Sequence, residues 1–312
     1  MIVVLTGGTG GAKFVDGLRK VAPSRDLTFI VNTGDDFQWW GLHISPDVDS
    51  ITYVLSDLLS KDRGWGVDGD TFQCLEAMKR LGQPAWFQIG DRDLSTHLLR
   101  TQLLREGKTL GEATAEITKN LGIESTVLPM TNSPVETRVT IPEGEISFQD
   151  YFVRRRYRDP VSAVRFVGAE NAKPAPYVLD AIQRATAVIL APSNPITSIG
   201  PILAVPGIRD ALRQTAAPVV AISPIVGEAA VSGPAGALMA AQGLPVSAAG
   251  VAQAYADFLD VLIVDSRDAG LPYPPDLQVH ATNIIMKSDE DRSELARTVL
   301  ATLSEAQALT LS

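Results

Sequence analysis

The chain lacks most of what would announce a chemistry on its own. One cysteine in 312 residues, Cys74, excludes an intrachain disulfide and a cysteine metal cluster. It reads as a small apolar residue on a helix face. Histidine is almost as scarce, at three. His97 has no second histidine at ligand spacing, which argues against a zinc site. There is no Ser–His–Asp grouping and no Gly-x-Ser-x-Gly elbow. Positive charge is in deficit: the net charge of −9 argues against a general nucleic-acid binder or a partner of anionic membranes. No apolar run approaches the ~18 residues of a membrane span, and no basic-then-apolar leader precedes the first strand. A cytoplasmic protein is expected. The one dense basic run is Arg154, Arg155, Arg156 and Arg158, readable as a solvated strand end or as an anion site.

What is present begins at the N-terminus. Ile2–Leu5 is a short apolar run, followed at once by Gly7, Gly8, Gly10 and Gly11. Ala12–Val21 then carries apolar residues at helical spacing. Strand, glycine turn and helix aim free backbone N–H groups and a positive helix end at a phosphate. Glycine lets the backbone approach the anion closely. The familiar fingerprints do not fit: Lys13 is followed by Phe14 rather than Ser or Thr, and it stands where a dinucleotide loop has its third glycine. A nicotinamide oxidoreductase is disfavoured on that ground.

Apolar residues at 45% and charged residues at 20% fit a globular chain with a large core. Leu27–Val31, Ala187–Ala191, Pro218–Ile222 and Val261–Val264 are apolar throughout, as in parallel strands covered on both faces. Helical patterns lie between them, at about 177–185, 202–214 and 234–242. A last helix is expected from about Asp289 to Leu303, capped by Ser288. This predicts an α/β, Rossmann-like doubly wound, mostly parallel sheet. Residues 50–125 read as a helical insertion over the cleft, with helices at 51–59, 71–81, 93–105 and 110–121. Residues 127–153 read as hairpin-like, turning at Pro142-Glu143-Gly144-Glu145. No linker is visible, so residues 1–312 are expected to form a single domain.

Several constellations fall at expected strand ends, where open α/β sheets bind ligands. Val31-Asn32-Thr33-Gly34-Asp35-Asp36 is the first. Ser45-Pro46-Asp47-Val48-Asp49 follows, and Asp47 and Asp49 share a face if that segment is extended. Carboxylates beside a phosphate call for a hard cation, and Mg²⁺ takes one or two of them plus phosphate oxygens. The bland alternative is that these aspartates cap turns and helices. Asp93 and His97, four apart, share a helix face. Ala191-Pro192-Ser193-Asn194-Pro195-Ile196-Thr197-Ser198 offers neutral donors and acceptors after a buried strand. Ser223–Gly227 and Ser232–Gly236 repeat the theme. Phe37, Trp39, Trp40, Trp65, Trp86 and Phe87 could stack on a heterocycle or simply pack.

These segments, with Gly64-Trp65-Gly66, Gly90-Asp91-Arg92-Asp93, Leu128-Pro129-Met130, Phe148-Gln149-Asp150 and Ser193–Ile202, together resemble the 2-phospho-L-lactate transferases of deazaflavin coenzyme biosynthesis. The resemblance spans nearly the whole chain. It implies transfer of a phospho-three-carbon-acid group, from phospholactate, phosphoenolpyruvate or phosphoglycerate, out of a GDP-linked donor made by a guanylyltransferase. The acceptor would be the deazaflavin Fo, the products coenzyme F-420-0 or an analogue plus GMP. The family uses Mg²⁺ and is commonly a homodimer. Placed on this chemistry, Asp35 and Asp49 are the first choices for catalytic metal ligands, with Asp47 beside them. Gly7, Gly8, Thr9, Gly10, Gly11 and Lys13, with Ser193, Asn194, Thr197 and Ser198, are assigned to the donor. By resemblance Asp49 and the position of Gln88 lie at the Fo site, and Asp36 is placed there too. Related proteins commonly carry a basic residue where this chain has Gln88. The competing expectation is a non-catalytic nucleotide-binding regulator of the same fold.

Overall fold

The computed structural model describes residues 1–310. Its centre is a seven-stranded sheet: β1 Ile2–Thr6, β2 Leu27–Val31, β3 Thr126–Pro129, β4 Ala187–Leu190, β5 Val219–Ile222, β6 Val261–Asp265 and β7 Gln278–Thr282. The order is β7-β6-β5-β4-β1-β2-β3, and every pairing is parallel. This is the expected Rossmann-like class. The winding reverses between β1 and β4, and in open α/β sheets ligands bind at such a reversal, outside the carboxyl ends of the strands.

Strand residues alternate between two apolar layers. Val3, Leu5, Val188, Leu190, Ala221 and Leu262 face one core. Val4, Phe29, Ile189, Val220 and Ile263 face the other. Both faces being covered explains why these strands are apolar without interruption. Helix α1 (Gly8–Val21) buries Phe14, Val15 and Leu18 in the second layer, and Arg19 and Lys20 stand in its last turn, favourable to the helix dipole. The C-terminal helix Asp289–Thr310 packs beside it through Leu295, Val299 and Leu303. A Cβ on Gly17 would lie 2.1 Å from the Arg292 carbonyl oxygen, so the two helices cross where α1 has no side chain. As expected, the Ser288 Oγ accepts from the Asp291 N–H at 3.1 Å, and the Asp291 carboxylate accepts from the Ser288 N–H at 2.8 Å.

Between β2 and β3 come a short hairpin (Phe37–Trp39, Leu42–Ile44) and four helices: α2 Pro46–Leu55, α3 Gln73–Arg80, α4 Asp93–Arg105 and α5 Leu110–Asn120. Thr109 and Glu112 form a reciprocal capping box on α5. Two expectations need correction. The first part of the segment read as hairpin-like is β3, an edge strand of the main sheet. The hairpin proper is Glu136–Ile141 with Gly144–Ser147, and Ala163–Val167 joins it as a third antiparallel strand. The helix expected over 202–214 is two, Gly200–Ala204 and Ile208–Gln214, broken around Pro206 and the left-handed Gly207. No helix among the described residues is long and apolar enough to cross a membrane.

Candidate functional site

Three strand ends are stapled together at the winding reversal. The Ser193 hydroxyl donates to the Gly7 carbonyl at 2.7 Å and accepts from the Gly7 N–H at 3.3 Å. The Asn32 amide donates to the Thr197 carbonyl at 3.2 Å and to Asp47 at 2.8 Å. Gly8, left-handed at φ +65, donates its N–H to the other Asp47 oxygen at 2.8 Å. Gly10 opposes the Pro192 carbonyl so closely that a Cβ would lie 2.3 Å from its oxygen. Glycine is therefore required at Gly10 by the neighbouring loop, whatever ligand binds. Gly10→Ala is expected to cost about 1–3 kcal/mol by overpacking, read as a lower urea midpoint. An unchanged midpoint would show that the two loops can separate freely.

Asp35, Asp36 and Asp47 converge on this turn. Asp35 is buried, and its Oδ1 has no hydrogen-bond partner among the described residues. Burial first, and then the charges of Asp47 and Asp36, push the Asp35 carboxyl well above the usual carboxylate range. Burial likewise raises Asp47 to about 6, against the bonds from Asn32 and Gly8. Asp36 is raised by burial and partly relieved by His43 and Ser45. Raised carboxyls contribute stability that is present below the unfolded value near 3.8 and lost as pH rises through the folded value. The metal-free protein is thus expected to melt at a higher temperature at pH 5 than at pH 7.5, and Mg²⁺ to recover the difference at pH 7.5. Carboxyls held low, such as Asp289 at about 2, lose their contribution only below about 4, outside this window. A melting point that is flat between pH 5 and 7.5 would mean that the three carboxylates do not repel.

Asp49 goes elsewhere. Its segment is the first turn of α2, with Pro46 at the start, not an extended strand. Two residues along a helix turn about 200°, so Asp47 and Asp49 part. Asp47 meets Gly8 and Asn32. Asp49 meets Arg100, whose guanidinium bonds both carboxylate oxygens. His97 lies between Asp49 (Nδ1, 3.5 Å) and Asp93 (Nε2, 3.3 Å), and Tyr53 donates to Asp93 at 2.7 Å. The expected Asp93–His97 pair thus belongs to a buried ionic cluster joining α2 to α4. Asp36 is held by the Ser45 hydroxyl and by His43 Nε2 at 2.9 Å. His43 sits on the hairpin that carries Phe37 and Trp39. Those rings pack with Trp40, Trp86 and Phe87 into a cluster of their own. Gln88 follows them, exposed. Trp65 stands apart, against Phe72 and Arg63.

Among the assigned donor residues, Ser193, Thr197 and Ser198 are all buried. The Asn194 Oδ1 accepts from the N–H groups of Ile196 at 2.9 Å and Thr197 at 3.4 Å, an Asx turn that fixes the loop. Asn194 itself is half-buried. Thr9 and Lys13 line a cavity of about 50 Å³ with Asp16, Tyr53, Lys61 and Arg292. Sequence reasoning missed Asn32, His43 and Arg100 as site-forming residues. Arg100 follows His97 by three, one helical turn on, and that spacing was the available signal.

The family model described as 2-phospho-L-lactate transferase CofD matches residues 2–304. The chain belongs to that family. This transferase is 41% identical over 302 residues to the 2-phospho-L-lactate transferase of Methanosarcina mazei, covering 96% of this chain and 99% of that one. It is 42% identical over 316 residues to the phosphoenolpyruvate transferase of Streptomyces griseus, covering 98% and 99%. Among solved structures, a UPF0052-family protein from Bacillus halodurans superposes with a TM-score of 0.66 at 18% identity, covering 96% of this chain and 98% of that one. That likeness shows the transferase's fold.

Proposed function

We propose that this transferase moves a phospho-three-carbon-acid group from a GDP-linked donor to the hydroxyl of the deazaflavin Fo, releasing GMP. The observation that carries the reading is the set of buried carboxylates at the glycine turn, one of them, Asp35, with a buried oxygen that has no partner among the described residues. Such an arrangement is costly unless a cation and phosphates complete it. Among the described residues no group of three or more His, Cys, Asp or Glu side chains is placed to hold a metal ion by itself. Mg²⁺ fits that donor set, since it needs few carboxylates and takes the rest from phosphate and water. Asp35 and Asp47 would hold it. Asp49, whose oxygens serve Arg100, is moved by this reading from the metal to the acceptor side, with Asp36 and Gln88. Mg²⁺ bound there would neutralise charge on the phosphate oxygens as the bond to GMP breaks. The chain's own part is positioning: the turn and the Ser193–Ser198 loop hold the donor in line with the Fo hydroxyl, which phosphoryl transfer chiefly requires.

Product mass spectrometry tests this, with Fo and each GDP-linked phospho-acid in turn. A mass for Fo joined to one acid, with GMP, is the expected result. Fo that neither binds nor reacts would favour a nucleotide-binding regulator. On the same assay, Asn194→Ala is expected to weaken GDP and donor binding several-fold with Fo binding unchanged. A loss confined to Fo would place the loop on the acceptor side.

A further inference from the structure

Residues 149–158 leave the carboxylate site by an unusual path. The Gln149 amide donates to the Asp35 carbonyl at 3.4 Å, both groups buried. Asp150–Arg154 is one π-helical turn, a rare form found mostly at functional sites. Arg156 (φ 55) and Tyr157 (φ 46) are consecutive left-handed residues without a glycine between them. Strain of that kind persists where the surroundings impose it, and it clusters at ligand sites. Here the imposed element is a ring stack: Phe148 on Phe152 at 5.4 Å, and Phe152 on Tyr157 at 5.6 Å. Phe152 stands 3.8 Å from where a Cβ on Gly233 would lie, in the loop beyond β5. The segment therefore runs from the end of β2 to the loop beyond β5, along the carboxyl side of the sheet.

Its charges are unevenly committed. Arg154 pairs with Asp150 and Arg155 with Asp159. Arg156 and Arg158 are exposed and make no ion pair among the described residues. Beside the glycine turn stand the carboxylates of Asp35, Asp36 and Asp47 with neutral hydroxyls and amides, while Lys13, the turn's own cation, lines the cavity that holds Asp16. A donor's carboxylate finds repulsion beside the three aspartates, yet every candidate three-carbon acid keeps its carboxylate through the transfer. The geometry points to Arg156 and Arg158 as the seat of that carboxylate. This makes them specificity determinants of the reaction proposed above, on which the assignment rests. Arginine suits the task because its planar fork pairs with a carboxylate through two parallel hydrogen bonds.

The test is calorimetric binding of three ligands to wild type, Arg156→Gln, Arg158→Gln and the double variant. The ligands are GDP, the GDP-linked phospho-acid, and guanosine diphosphate ethyl ester, which lacks the carboxylate. The double variant is expected to bind the phospho-acid donor about 10–100-fold more weakly, with GDP and ethyl ester within twofold of wild type. Wild type should prefer the carboxylate donor over the ethyl ester by the same factor. Equal losses on all three ligands would reassign the arginines to the diphosphate, and no loss would return them to the solvated surface. Either overturns the seat. Carboxylate-dependent binding without any transfer to Fo would sustain the seat and overturn the proposed function.

Discussion

Asp35→Asn is expected to lower turnover by about 10²–10³-fold, the usual cost of losing one electrostatic contact to the transition state. The same change is expected to raise the stability of the metal-free protein at pH 7 by about 1–3 kcal/mol, since a buried and unsatisfied charge is removed. Asp35 stands with Asp36 and Asp47 in a buried cluster, and its Oδ1 has no partner among the described residues. Opposite signs on activity and stability are the mark of a group kept for function at the expense of the fold. Urea unfolding with a chelator and product formation with saturating Mg²⁺ read the two sides. Near-normal, Mg²⁺-dependent turnover in this variant would sink the assignment.

Arg100→Met carries the largest expected loss of stability, about 3–5 kcal/mol, because it strands Asp49 as a buried, unpaired charge. Arg100 is fully buried and faces Asp49 with both terminal guanidinium nitrogens, with His97 and Asp93 behind. Arg100→Met combined with Asp49→Leu is expected to recover most of the loss, since an apolar pair replaces a buried ion pair at little cost. The double-mutant cycle in urea isolates the coupling. A single variant within about 1 kcal/mol of wild type would show that Asp49 finds water or another cation.

Residues buried on both sheet faces were legible in the sequence, because such strands leave no polar position: Leu27–Val31 and Ala187–Leu190 read directly. The edge strands did not. Gln278–Thr282 is half covered, and its polar residues look like loop. Thr126–Pro129 ends in a proline that an edge tolerates but a sequence pattern marks as a break. The site shows the same division. The carboxylates and glycines were visible as residue types, but their partners depended on the chain's path. Alternating Asp47 and Asp49 suggested one face, yet Val48, Ile51 and Val54 pack as a helix and separate them. Arg100 resembled any helix-surface arginine until folding brought Asp49, 51 residues away, beside it. Gly10 shows a different limit: its need for glycine comes from Pro192, a neighbour that no local pattern announces.

The strand order also sets a timetable for synthesis. β1 is made before the other six strands of its sheet and lies at the sheet's centre, yet its partner on one side, β4, begins only at Ala187. At ribosomal rates of about 5–20 residues per second, β1 waits roughly 10–40 s with one hydrogen-bonding edge open. The apolar flank of α1 waits longer, until the C-terminal helix arrives. A nascent chain truncated before Ala187 would present an exposed strand edge and an uncovered helix together, the two features that invite aggregation and chaperone capture.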